Sequence, residues 1–170
     1  MKWLERTWQF PINGIEYLVL IQKLKNTASI IIELTHGLQE EQTKRKVDNK
    51  WSINEHAGHL LTIESLWIAR LDDFVMGHSA LRPWNGTNAD TDAANFNRQR
   101  LGKILEDFDD IRIVHAEMLS KFEDKCSEMQ ARIERLNTTM NLRDHIWFMT
   151  EHDAHHINAI QQLIQETHAD

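Results

Sequence analysis

Cysteine is nearly absent from this sequence: Cys126 is the only one in 170 residues. A single thiol excludes a disulfide framework and a metal site built on thiolates, and Cys126 reads as a small semi-buried residue. Six glycines and two prolines leave little material for hairpins, which points to long helices and few turns. No apolar run approaches the ~20 residues of a membrane span, and the opening MKWLERTWQFPING lacks the continuous apolar stretch of a secretory leader. A cytoplasmic protein is therefore expected. Basic residues are outnumbered, 19 Lys and Arg against 26 Asp and Glu, for a net charge of −7. The one basic cluster, Thr43 to Lys46, is too short to reverse that, so neither nucleic acid nor an anionic membrane is expected as a primary partner.

What is present fits one domain over residues 1–170, with ordinary globular proportions of 41% hydrophobic and 26% charged residues. Apolar positions recur at helical spacing from Ile15 to Glu40, although the run from Ser29 to Leu34 is locally β-prone. The charged stretch from Glu40 to Lys50 reads as a solvated connection or a frayed helix end. Ser52-Ile53-Asn54-Glu55 is a capping box that opens a second helix, which runs to Gly77. A loop with Pro83 and the turn pair Asn85-Gly86 follows, in which Trp84 is placed as a lid over one end of the molecule. A third helix is expected from Asp90 to Asp92 through Phe122, with Phe96 and His115 on its apolar stripe. The segment Lys125 to Met140 breaks the rhythm, and Asn137 to Asn141 serves as turn and cap for a last helix to Thr167. The sum is an all-α fold, a four-helix up-down bundle with antiparallel helices joined by short loops.

The last helix carries the chemistry. His152 and His156 are one turn apart, about 40° around the axis. Leu163, Met149, Ile160, Leu142, Ile146, Ile164 and Ile157 fall between about 20° and 140° on the same scale, so both imidazoles lie in the apolar half. Core histidines are most often satisfied by a carbonyl or a carboxylate. A buried pair pointing one way is also well suited to a metal. His59, in the second helix, shares a face with Ile63, Leu66, Trp67, Arg70 and Phe74 and points to the core as well. In a bundle, metal sites are built from inward side chains of facing helices, so His59, His152 and His156 are the ligand candidates. Three neutral imidazoles leave a position open for water or substrate, as in catalytic sites. A ferritin-like di-iron site is excluded, because the sequence has one Glu-x-x-His motif, Glu33 to His36, with no counterpart on another helix. Further candidates near the chemistry are His56, one turn before His59; His155, turned about 60° from His152 towards the rim; and Asp153, the acidic residue of an H-D-x-x-H pattern in which a carboxylate could act as general base.

These residues carry a resemblance. Trp51-Ser52, His59 followed by Glu64 and Trp67, and the terminal Glu151-His152-Asp153-Ala154-His155-His156 resemble the DinB-like superfamily over roughly residues 15 to 165. The resemblance implies a four-helix bundle and a three-histidine metal site on His59, His152 and His156. It also implies a small-molecule substrate, because characterised members include bacillithiol and mycothiol S-transferases and a maleylpyruvate isomerase. A metal-dependent transferase using a low-molecular-weight thiol cosubstrate is the first expectation, and a metal-dependent hydrolase the second. A non-catalytic metal-binding or stress-response bundle, and a plain helical dimerisation domain, complete the alternatives. Zinc or nickel leads among divalent ions, with iron or manganese also compatible with imidazoles. Unperturbed histidines gain a proton near pH 6.5, so metal binding should fail through that region, whereas ligands such as Glu55, Glu64 or Asp153 would carry the loss nearer pH 4. Leu61 and Ile68, on the side of the second helix away from His59, suggest a homodimer packed through that face.

Overall fold

The computed structural model describes residues 3–168; Met1, Lys2, Ala169 and Asp170 of the expected domain lie outside the described residues. Four long helices make a bundle: α1 (Tyr17–Leu34), α3 (Ile53–Val75), α5 (Leu101–Ser120) and α6 (Leu142–His168). The all-α expectation holds, with one small addition, an antiparallel pair of strands, β1 (Gln130–Ile133) and β2 (Thr138–Asn141). The β-prone run after Ser29 is helical because Ala28 and Ile31 are buried with the rest of one α1 face. That helix stops at Leu34, and the expected loop after Glu40 contains a short helix, α2 (Glu40–Lys44).

Helix directions follow from contacts at the ends. The backbone N–H of Ile12, just before α1, donates to Asp144 Oδ1 at the start of α6 at 2.8 Å, so α1 and α6 begin at the same end. Tyr17 donates its hydroxyl proton to Leu119 O at 2.8 Å, which places the start of α1 at the finish of α5. At the other end Ile53 and Leu60 from early α3 pack with Ile104, Leu105 and Phe108 from early α5, and with Ile31 and Ile160 from late α1 and α6. Thus α3 and α5 run one way and α1 and α6 the other. The second and third long helices are parallel, contrary to the expectation of short antiparallel connections. The reason is the connection 76–100, which must travel back along α3. That helix of 23 residues is about 34 Å long, and a chain advancing up to ~3.3–3.6 Å per residue covers it easily. On its way the connection forms α4 (Ala89–Ala93) and a 3-10 turn at Phe96–Arg98, so the third helix begins at Leu101 and Phe96 lies on the connector.

Gly58 fixes where that connector lands. A Cβ at Gly58 would sit 2.1 Å from the Phe96 ring, so only glycine lets the buried Phe96 close on α3. Glycine to alanine inside a helix normally gains up to ~1 kcal/mol. Here Gly58→Ala is expected to cost about 1–3 kcal/mol through overpacking, read as a lower denaturant midpoint with an unchanged slope.

The fully buried residues of α3 include Leu60, Glu64, Trp67 and Leu71, centred about 100° around the helix from His59. His59 therefore stands at one edge of a broad buried face and Leu61 and Ile68 at the other, both half-buried, with Leu61 packed on the core cluster. The premise of the expected dimer face falls away: the side opposite His59 is a flank of the core, and the solvent side carries Ser65 and Asp72.

The capping box at Ser52 is present, with Ser52 Oγ accepting from Glu55 N at 3.2 Å and Glu55 Oε2 accepting from Ser52 N at 2.8 Å. Asn141 and Asp144 cap α6 in the same reciprocal way, at 2.9 and 3.0 Å. The expected turn and cap are thus the end of a hairpin, closed by Asn137 at φ 50°. Ala131 and Ile133 face inward, and the strand edge also holds the connector through Leu81 N to Arg132 O at 2.8 Å and Arg132 N to Ser79 O at 2.9 Å. Among the described residues no helix is long and apolar enough to cross a membrane.

Candidate metal centre

Three imidazoles converge where α3 meets α6. His59 Nε2 lies 3.3 Å from His152 Nε2, and His156 Nε2 lies 3.3 Å from the same atom. Ligand atoms of the three residues fall within 4.8 Å of one another, and all three side chains are buried. Two nitrogens that both present lone pairs repel at 3.3 Å unless a proton or a cation lies between them. Nitrogens bound at ~2.0–2.1 Å to a tetrahedral ion are separated by about 3.3–3.4 Å, so two of the three separations match one divalent ion and the third pair stands within 4.8 Å.

Two of the three outer nitrogens are held as a metal site requires. Thr91 Oγ1 lies 3.1 Å from His59 Nδ1 and 2.9 Å from Thr62 Oγ1, and Thr62 donates in turn to His59 O at 3.1 Å. In the consistent proton order His59 Nδ1–H donates to Thr91, Thr91 to Thr62, and Thr62 to the carbonyl, which leaves the Nε2 lone pair free. His156 Nδ1 lies 2.9 Å from His56 Nδ1, so one of the two must donate; when His156 does, its Nε2 also is free. His152 Nδ1 is buried with no partner among the described residues. Outer partners of metal-bound histidines typically carry 10–100-fold in affinity, and Thr91→Val is expected to weaken zinc binding by about that factor in a competition titration.

Burial pushes the imidazole pKa values down. His59 and His56 fall to about 4 by desolvation, helped by neighbouring histidines, and His152 and His156 lie well below the ordinary value of 6.5 for the same cause. All four are neutral at pH 7, the form that ligates. The expected loss of binding through pH 6.5 therefore moves down towards pH 4.

A cavity of about 230 Å³ opens beside the imidazoles, walled by Trp3, Trp51, Trp67, Trp84 and Phe148. Its Trp51 ring centroid is 4.9 Å from that of His59, and Trp3 meets His152 at 5.1 Å and His155 at 5.7 Å. A second cavity of about 280 Å³ lies under residues 82–91 and shares His59, Ile63, Leu66, Trp84 and Asn88 with the first. Trp84 is thus part of a side wall along α3, instead of a cover for the bundle end. His56 and His155 both line the first cavity.

Asp153 is elsewhere. Its Oδ2 accepts from Thr27 Oγ1 at 2.8 Å and from Arg112 Nη1 at 2.6 Å. Arg112 also stands 2.7 Å from Glu64 Oε1, and Glu64 Oε2 lies 2.9 Å from His115 Nδ1. All of these side chains are buried, in a network that joins the four long helices. Glu55 is taken by its cap and by Lys46. None of the three carboxylates lines the cavity on which the imidazoles open.

Sequence reasoning missed Thr91, Trp3 and Arg135 at this site. They arrive on the connector, the lead-in and the hairpin turn, which have no helical period to reveal them. Arg70 was detectable: eleven residues after His59, it returns to within about 20° of the same direction.

The family model described as the DinB superfamily matches residues 23–160, a span that contains all three imidazoles. A similar solved structure is that of YfiT from Bacillus subtilis, described as a probable metal-dependent hydrolase with an unusual four-helix bundle topology. The two are 15% identical, with 94% of this chain and 93% of that chain covered at a TM-score of 0.79. At that identity the likeness is one of fold. No curated protein matches the chain.

Proposed function

The chain belongs to the DinB superfamily, and from that premise we propose that it is a divalent-metal-dependent enzyme acting on a small molecule, its ion held by His59, His152 and His156. The observation that carries this reading is the pair of 3.3 Å separations among three buried Nε2 atoms. A bound ion would supply Lewis acidity, lowering the pKa of a water or thiol towards neutrality. The protein's own part is to keep the imidazoles neutral by burial, to orient His59 through Thr91 and His156 through His56, and to exclude bulk water with the tryptophan walls.

Transfer of a low-molecular-weight thiol is the first reading of the reaction. A thiol needs no base once it is ionised, and among the described residues no carboxylate lines the cavity on which all three imidazoles open, Asp90 lying in the adjoining one. Hydrolysis is the second, supported by the description of the YfiT structure, and it would draw on His56 or His155 for proton transfer. Protein purified without chelator is expected to hold about one divalent ion per chain by elemental analysis, and His152→Ala close to none. Chelator-sensitive consumption of an electrophile only when thiol is present supports transfer, and chelator-sensitive ester cleavage without thiol supports hydrolysis. Metal content that is absent in the wild type, or unchanged in His152→Ala, overturns the centre.

A further inference from the structure

Arg70 is an unusual residue to find beside three imidazoles that could hold a cation. Its side chain is only 4% exposed and lines the cavity. The Nε–H donates to Arg82 O at 3.0 Å and the guanidinium stands 5.3 Å from the Trp67 ring centroid. Among the described residues no carboxylate forms an ion pair with it. The acid three residues on, Asp73, is committed to Arg82, at 2.7 and 3.0 Å, and to His78 at 3.1 Å. The hairpin turn brings a second arginine, Arg135, to the wall of the same cavity, at its exposed mouth. It too has no ion pair among the described residues. Burial, with Arg135 beside it, pushes the Arg70 guanidinium down to about 10, and Asp73 offsets only part of that.

Burying a cation without a paired carboxylate is unfavourable, and the bond to Arg82 O takes up only the Nε–H of Arg70. The cavity lining holds no aspartate or glutamate and Asp73 offsets the charge only in part, so an anionic ligand would complete the compensation. The guanidinium fork matches a carboxylate in two parallel hydrogen bonds, while Trp67, Phe148 and Trp84 offer apolar surface to the remainder of such a molecule. At about 230 Å³ the space is below the ~300–1,000 Å³ of drug-sized sites.

We infer that Arg70 and Arg135 form a carboxylate-binding subsite, and that the substrate of this centre is a small organic acid whose apolar body lies against Trp67 and Phe148. The inference rests on the metal-centre reading for where the reacting group sits, but the subsite itself can be tested without it. Phenylacetate and its neutral analogue phenylacetamide serve as probes, titrated by calorimetry and by tryptophan fluorescence into zinc-loaded and chelator-stripped protein. Phenylacetate is expected to bind about tenfold or more tightly than the amide in both forms, with an affinity that falls as salt is added. Arg70→Gln should bring the acid down to the level of the amide, and Arg70→Lys should retain part of the difference. Arg135→Gln, at the exposed mouth where folding is not at risk, should weaken the acid about threefold and leave the amide unchanged. Preference for the acid only in zinc-loaded protein would place the carboxylate on the ion and overturn the subsite. So would equal binding of acid and amide, or a preference unchanged in both Gln variants. Zinc content measured on the same samples separates the two ideas: full zinc without preference sinks the subsite alone, and preference in protein that takes up no zinc when zinc is supplied sinks the metal centre alone.

Discussion

Stripping the metal with a chelator is expected to lower the wild-type melting midpoint by roughly 8–16 °C, and that of His59→Ala hardly at all. An ion present at a thousand times its dissociation constant stabilises the native state by ~4 kcal/mol, and each kcal/mol moves the midpoint of a domain this size by about 2–4 °C. The ion would tie α3 to α6, whose ligands are far apart in sequence, so removal of His59 leaves only the two imidazoles of one helix. The pH dependence distinguishes buried from solvated histidines. In the folded chain His59 and His56 take up protons at about 4, and His152 and His156 well below their ordinary value, so protons do not compete with the ion at pH 5.5. The chelator-induced shift should be the same at pH 8 and pH 5.5. The metal-free midpoint behaves differently. Unfolded histidines bind protons near 6.5 and the folded ones do not, so between those values the unfolded state holds more protons, and stability is lost as pH falls from 6.5 towards 4. A chelator shift that disappears by pH 5.5 in the wild type would mean that the imidazoles titrate as exposed groups. A full shift in His59→Ala would remove α3 from the site.

How much of this was legible follows from which residues sit on periodic structure. His59, His152 and His156 could be brought together from sequence because each lies on the inward half of a long helix, and the angle between residues on a helix is fixed by its pitch. Thr91 and Arg135 could not, because their positions depend on the path of an irregular connection over the bundle surface. Helix direction failed for a related reason. The segment 76–100 was legible as a loop plus the beginning of a helix, but Phe96 docks on Gly58 only after the chain has retraced α3, and that contact has no local signature. The hairpin was missed because four residues per strand give too short an alternation to stand against helical neighbours, whereas the Ser52 cap was secure because its two hydrogen bonds are local. The dimer expectation took Leu61 and Ile68 for a second apolar face, whereas both are half-buried on the flank of a buried face centred about a quarter-turn from His59.

Asp153 is where pattern and packing diverge most, and the largest stability effect is expected in the network around it. Next to a metal-ligand candidate, an acidic residue invites a catalytic role; yet its carboxylate is turned to Thr27 and Arg112, and Arg112 in turn holds Glu64. Burial pushes the Asp153 carboxyl up, while Arg112 and Thr27 pull the other way, and the two carboxylates hold Arg112 in its charged form. Removing one partner from a buried ion pair leaves an uncompensated charge and costs about 3–5 kcal/mol. Arg112→Met should therefore lower stability by that amount, a drop in midpoint of roughly 6–20 °C, since it strands two carboxylates between four helices. Adding Glu64→Gln and Asp153→Asn to Arg112→Met removes the stranded charges and should restore most of the loss, a non-additivity that a surface ion pair would not give. Asp153→Asn alone is expected to lower stability while leaving zinc content and the acid limb of any pH–rate profile where they were. If Asp153→Asn instead keeps its melting midpoint and loses that limb, the carboxylate acts on the substrate, and the structural reading of the network is wrong.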